Sequence, residues 1–185
     1  MESRKPRITE DWLAVYLGLL VFALALAGLA GADLLGWAAT TSVWTSLGKA
    51  LGTASKAYAG LLGLAALAAT YAFLALVLAA GAKALGAPVG RFLKGFTAVF
   101  AASYACWIAG SWAYIAATPD KLKNFNIGWS LNLTNEAGFI IALVVGLLVG
   151  NLFPKAADAM KEAVRPELYV KTAIVILGGA LGVTA

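Results

Sequence analysis

Charged residues cut this chain into long apolar runs. Trp12 to Ala32 gives 21 residues without a charge, between Asp11 and Asp33. At about 1.5 Å per helical residue this is enough to cross a hydrocarbon layer roughly 30 Å thick. Thr9 supplies a hydroxyl cap, Glu10 and Asp11 sit at the positive helix end, and Trp12 is an interfacial anchor, so the pattern predicts a first span over 12–32. A second follows at 57–82, 26 residues of mostly alanine and leucine between Lys56 and Lys83, and a third at 95–119, 25 residues ending in aromatic side chains. The fourth, 137–154, has 18 residues and closes with Asn151 and Pro154. Only 14 charge-free residues remain from Thr172 onward, so a fifth span at 169–185 is only begun. These runs predict an all-α, polytopic membrane protein with four transmembrane helices and the start of a fifth.

The intervening segments read as surface structure. Leu34 to Gly48 is mildly apolar and interrupted by Thr40, Thr41, Ser42, Thr45 and Ser46. Trp37 and Trp44, seven apart, would share one face of an interfacial helix. Lys83, Arg91 and Lys94 surround Gly86, Pro88 and Gly90, which predicts a short basic loop. Residues 120–136 form a polar connector rich in asparagine, and its Asn132-Leu133-Thr134 triplet carries no weight alone. Lys155 to Lys171 is amphipathic and predicts a short surface helix broken by Pro166.

Composition agrees with this layout: 62% of residues are hydrophobic and 12% charged, and the mean hydropathy is +0.85. The net charge of +5 lies between the apolar runs, where basic residues set topology, and points to a bilayer rather than a nucleic acid as partner. With the N-terminus inside, Arg4, Lys5, Arg7, Lys83, Arg91, Lys94, Lys155, Lys161, Arg165 and Lys171 face the cytoplasm, and Lys49, Lys56, Lys121 and Lys123 face the other side. The positive-inside rule selects that orientation. Cys106 is the single cysteine and histidine is absent, which removes an intrachain disulfide and the commonest metal ligand and general base. Nothing in the sequence predicts a cofactor, a metal cluster or an enzymatic residue set.

The run Gly146-Leu-Leu-Val-Gly-Asn-Leu-Phe-Pro154, followed by Arg165-Pro-Glu-Leu-Tyr-Val-Lys-Thr-Ala-Ile-Val-Ile-Leu-Gly-Gly179, resembles the sulfate exporter family of bacterial membrane proteins, and Asn135-Glu-Ala-Gly-Phe139 adds to the likeness. The resemblance covers the last third of the chain well and the first two spans by hydropathy. It implies a secondary transporter of about ten spans built from inverted repeats, residing in the bacterial inner membrane and exporting sulfate or a related inorganic anion. On that basis residues 1–185 form a single membrane domain, the amino-terminal part of a longer transporter or one piece of a split one. A homo-oligomer or a missing C-terminal half would complete the path.

Five residues are candidates for that path. Asn151 could line a polar cavity, or act as a helix stop signal together with Gly150 and Pro154. Gly178 and Gly179, with Gly182 beyond, could allow an unwound segment facing an anion, or close packing. Glu136 could couple protons, although an acid at a helix N-terminus is also favoured by the dipole. Lys171, with Arg165, could draw an anion to the entrance, or simply mark the cytoplasmic side. Thr70, Tyr71, Ser103 and Tyr104 are further polar groups inside spans, each able to bond a helix backbone. The reading from a different class is a small membrane scaffold or accessory subunit whose Ala/Gly-rich helices pack against a larger partner.

Overall fold

A computed structural model describes residues 8–184. Arg4, Lys5 and Arg7 of the orientation argument lie outside the described residues. Among the described residues, seven helices, α1 (Glu10–Leu26), α2 (Gly63–Ala84), α3 (Val89–Gly110), α4 (Ala113–Ala116), α5 (Ala137–Leu152), α6 (Pro154–Met160) and α7 (Pro166–Thr184), are joined by 3-10 turns and one hairpin, β1 (Ala39–Thr41) with β2 (Leu51–Thr53). The protein is an all-α membrane protein. Among the described residues three helices are long and apolar enough to span a bilayer, Glu10–Ala30 with its 3-10 extension, α2 and α3, and a fourth arises if the bent pair α5–α6 counts as one.

Several boundaries depart from the sequence expectation. Residues 34–48 are not an interfacial helix, and Trp37 and Trp44 do not share a helical face. The segment instead enters an antiparallel hairpin in which Ala39, Thr40 and Thr41 pair with Thr53, Gly52 and Leu51. Ser and Thr compete for backbone hydrogen bonds and suit a pleated surface, and here two spans take up the strand: the Thr70 hydroxyl of α2 accepts from the Ala39 amide at 2.8 Å, and the Tyr104 hydroxyl of α3 donates to the Ala39 carbonyl at 3.2 Å. The second span starts at Gly63, six residues late, because residues 56–58 form a 3-10 turn and β2 passes directly over the helix start. A Cβ on Gly63 would lie 2.5 Å from the Leu51 carbonyl oxygen.

The basic loop also shrinks. Lys83 lies in the last turn of α2, while Arg91 and Lys94 lie in the first turns of α3, which starts immediately after Pro88. α3 ends at Gly110 rather than running to Pro119. Trp112 and Tyr114 leave the span and pack, with rings tilted to one another, in a cluster that includes Trp129. Pro166 opens α7 instead of breaking a surface helix, as proline's missing N–H allows at a first helical position. The predicted surface helix is therefore confined to α6, and Lys171 lies inside α7.

Packing follows the small and aromatic residues. Phe92, Phe96, Phe100 and Tyr104 recur every fourth residue along α3, with successive ring centroids 6.0, 5.9 and 4.7 Å apart. Phe92 and Phe96 are buried with Ala75 and Ala82 of α2 and with Ala163, and Tyr71 stacks on Phe96. A second cluster joins Leu13, Ala14 and Leu17 of α1 to Leu168 of α7. Glycines set the closest crossings: Gly110 of α3 meets Gly138 of α5, and Gly18 of α1 meets Val175 of α7.

These contacts also sort the charges by end. Gly95 at the start of α3 touches Ala159 and Ala163, and Arg165 pairs with Glu10. Lys83, Arg91, Lys94, Lys155, Lys161, Arg165 and Lys171 therefore belong to one end of the bundle. Lys49, Lys56, Lys121 and Lys123 belong to the other, with the hairpin and the 119–136 connector.

Candidate functional site

The feature that departs most from a plain bundle is the elbow between α5 and α6. α5 has 16 residues, about 24 Å at the usual rise, which falls short of a hydrocarbon layer roughly 30 Å thick. The chain then turns by 113° into α6. Phe153 (φ −127°, ψ 63°) makes the turn, and its amide still donates to the Val149 carbonyl at 3.0 Å, which closes the last turn of α5. Pro154 then starts α6, where its missing N–H leaves no orphan donor.

Between α5, α6 and α3 lies a groove of about 680 Å³. Its walls are Val99, Ala102 and Cys106 of α3 and Val145, Gly146 and Val149 of α5, and its polar side chains are Ser103, Asp158 and Lys161. α3 and α5 approach most closely at Gly110 and Gly138. A Cβ on Gly110 would lie 2.3 Å from the Gly138 amide nitrogen, whereas Gly146 and Gly150 have nothing within 4 Å of that position. Space is left open in front of Gly146 and Gly150, nearer the elbow.

The five candidate residues are not brought together. Asn151 sits at the elbow but is exposed, and its amide nitrogen donates to the Leu147 carbonyl one turn back at 2.7 Å, an intrahelical bond. Glu136 precedes α5, at the opposite end, where it accepts a hydrogen bond from the Thr134 hydroxyl. Gly178 and Gly179 lie in an unbroken stretch of α7. An added Cβ on Gly179 would be 2.8 Å from the Phe22 ring, while Gly178 has open space. Lys171 is held by Asp11 at 2.6 Å and Glu167 at 3.1 Å, and Arg165 pairs with Glu10 and lies 3.9 Å from Glu162. Four carboxylates thus surround two cations, and an arriving anion would have to compete with them.

Of the other intramembrane polar groups, Thr70, Tyr71 and Tyr104 hold the hairpin and the α2–α3 pair, and Ser103 lines the groove. Thr70 donates to the Ala66 carbonyl while accepting from Ala39, and Tyr71 bonds Thr97 at 2.7 Å. The Trp44 indole donates to the Ile108 carbonyl at 2.7 Å, and the backbone of Trp44 pairs with Ser111 and Ala113 across the end of α3. Sequence reasoning missed this seat and the Asp158–Lys161 pair; the spacing of Asp158 and Lys161, one helical turn apart, was the available signal. At the connector, a hydrogen bond with Thr118 holds the Asp120 carboxyl below the usual carboxylate range, with Lys121 adding a smaller pull.

Thr70→Val should leave the buried Ala39 amide without its acceptor and lower stability by about 1–3 kcal/mol, while Thr70→Ser should restore most of it. The midpoint of an SDS unfolding titration measures both.

The fold and its elbow define a polytopic α-helical membrane protein. Over 179 residues the chain is 33% identical to a UPF0324 membrane protein of Nitrosomonas europaea, an alignment that takes in 95% of this chain and 36% of that protein. The chain thus spans little more than a third of the length of the curated relative it matches. No family model matches the chain, and no solved structure does.

Proposed function

We propose that this chain forms part of a secondary transporter that exports sulfate or a related inorganic anion across a bacterial inner membrane. The observation that carries the reading is the elbow: a helix of 16 residues that ends at Leu152, just after Gly150-Asn151, and turns by 113°. Transporters recurrently use helices that break inside the bundle, and the α5–α6 elbow is a break of that kind. The choice of an inorganic anion rests on the likeness of residues 146–179 to the sulfate exporter family. Asn151, Glu136, Gly178, Gly179 and Lys171 are the residues of the proposed path, with the remainder supplied by further chain or by another copy.

Labelled sulfate flux into inverted vesicles, made from cells producing the protein that carries this chain, tests the reading. Flux well above that of vesicles lacking the protein, reduced at least tenfold by Asn151→Leu, is the expected result; tenfold corresponds to about 1.4 kcal/mol of lost stabilisation. Flux equal to the control would overturn it. A scaffold would give no flux and would show no sensitivity at the elbow.

The N-terminus is proposed to be cytoplasmic, supported by the gathering of Lys83, Arg91, Lys94, Lys155, Lys161, Arg165 and Lys171 at one end. In a Cys106→Ala background, a cysteine at Lys121 should react with an impermeant thiol reagent added outside the cell, and one at Arg91 should not. The reverse pattern would invert the topology.

A further inference from the structure

The groove between α3 and α5 is apolar along its length and charged at one end. Val99, Val145 and Val149 offer no hydrogen bonds and Cys106 only a weak S–H donor, so a dehydrated anion would find few donors there. The charged end belongs to α6 and the turn after it, where Asp158 and Lys161 are both exposed and form no ion pair among the described residues. Three residues apart at a helix end, they place a carboxylate and an ammonium side by side at the mouth. Because α6 turns 113° away from α5 and is charged, it belongs at headgroup depth, and the groove runs from there towards the hydrocarbon. Ala102 and Ser103 on one wall and Gly146 and Gly150 on the other are exposed, so the groove is open to the exterior of the bundle.

An occupant must be apolar along its body and carry a positive and a negative group at its head. We infer that the groove seats one phospholipid with a zwitterionic, primary-amine headgroup of the phosphatidylethanolamine kind. An acyl chain lies along Val99, Cys106 and Val145, the phosphate meets Lys161, and the ammonium donates to Asp158. The pair of opposite charges is what selects this headgroup: an anionic glycerol headgroup would satisfy Lys161 and leave Asp158 facing a negative charge, and a quaternary choline has no N–H to donate. The inference does not rest on transport, since the lipid site stands whether or not an anion crosses.

The test uses the full chain purified in mild detergent and offered equal amounts of phosphatidylethanolamine, phosphatidylglycerol and phosphatidylcholine, with retained lipid counted by native mass spectrometry. One phosphatidylethanolamine should be retained about tenfold over phosphatidylcholine, the equivalent of about one charge-assisted hydrogen bond. Asp158→Asn should shift the preference to phosphatidylglycerol, and Lys161→Gln should weaken retention of both. Gly146→Leu should abolish retention by filling the groove. Its new side chain enters open space and leucine is a better helix former than glycine, so an unchanged circular dichroism spectrum and SDS midpoint are expected alongside the loss. Equal retention of all three lipids, or lipid binding that Gly146→Leu leaves intact, would overturn the inference. A dimer that Gly146→Leu converts to monomer without changing its lipid content would assign the groove to a second copy of the chain.

Discussion

Gly110→Val is expected to separate α3 from α5 and to destabilise the protein by about 3 kcal/mol, the upper end of the range for overpacking a tight interior. The reason lies in what a side chain would strike. A Cβ at Gly110 would be 2.3 Å from the amide nitrogen of Gly138 and 2.5 Å from its Cα, both backbone atoms of a facing helix that cannot rotate out of the way. The reciprocal contact is milder, since a Cβ on Gly138 would be 3.3 Å from the Trp107 Cα, so Gly138→Ala should cost less than Gly110→Ala. Cys106, one turn before Gly110 and 7% exposed, reports the event directly. Its reaction with a membrane-permeant maleimide should be slow in the unaltered protein and fast in Gly110→Val. Gly146→Ala on the same helix as Gly138 is the control, because its Cβ position is open and neither stability nor Cys106 reactivity should fall. Equal behaviour of the two variants would mean that the α3–α5 crossing is not fixed at Gly110.

The contrast between those glycines explains how far the sequence could be read. Hydropathy alone located α1, α2, α3 and α5, because a charge-free run of span length has few alternatives to a membrane helix. It could not locate their ends. Gly63 and Gly110 are boundary residues whose roles depend on segments distant in sequence: Leu51 lying over Gly63 and Gly138 against Gly110. Trp37 and Trp44 satisfied a helical spacing that the backbone never adopts, since Ala39 between them is held in a strand by Thr70 and Tyr104. The groove was illegible for a similar reason. Gly150 reads in sequence as part of a helix stop with Asn151 and Pro154, and only the structure reveals that nothing lies in front of it or of Gly146. Asn151 and Lys171 were recognisable as polar groups near apolar runs, but not the partners each has: Leu147 for Asn151, and Asp11 and Glu167 for Lys171.

The last helix gives the second large effect, and it separates two meanings of a glycine. Gly18→Leu should displace α7 from α1 at a cost of about 3 kcal/mol, because its Cβ would lie 2.6 Å from Val175 and 3.1 Å from the Thr172 carbonyl oxygen. The ion pairs that tie the same two helices at the surface, Arg165 to Glu10 and Lys171 to Asp11, are partly to largely exposed. Removing either by Arg165→Ala or Lys171→Ala should therefore cost no more than about 1 kcal/mol. Salt should lower the effect of the ion-pair variants and leave that of Gly18→Leu unchanged, since screening acts on charges and not on overlap. In α7 itself, Gly179→Ala should be mildly destabilising because the Phe22 ring it meets can rotate, and Gly178→Ala should be neutral or stabilising because its Cβ position is open. If the paired glycines instead serve an unwound segment that presents amides to an anion, Gly178→Ala would lower sulfate flux at least tenfold while leaving the SDS midpoint in place. Stability and flux measured on that one variant distinguish a glycine kept for packing from a glycine kept for the substrate.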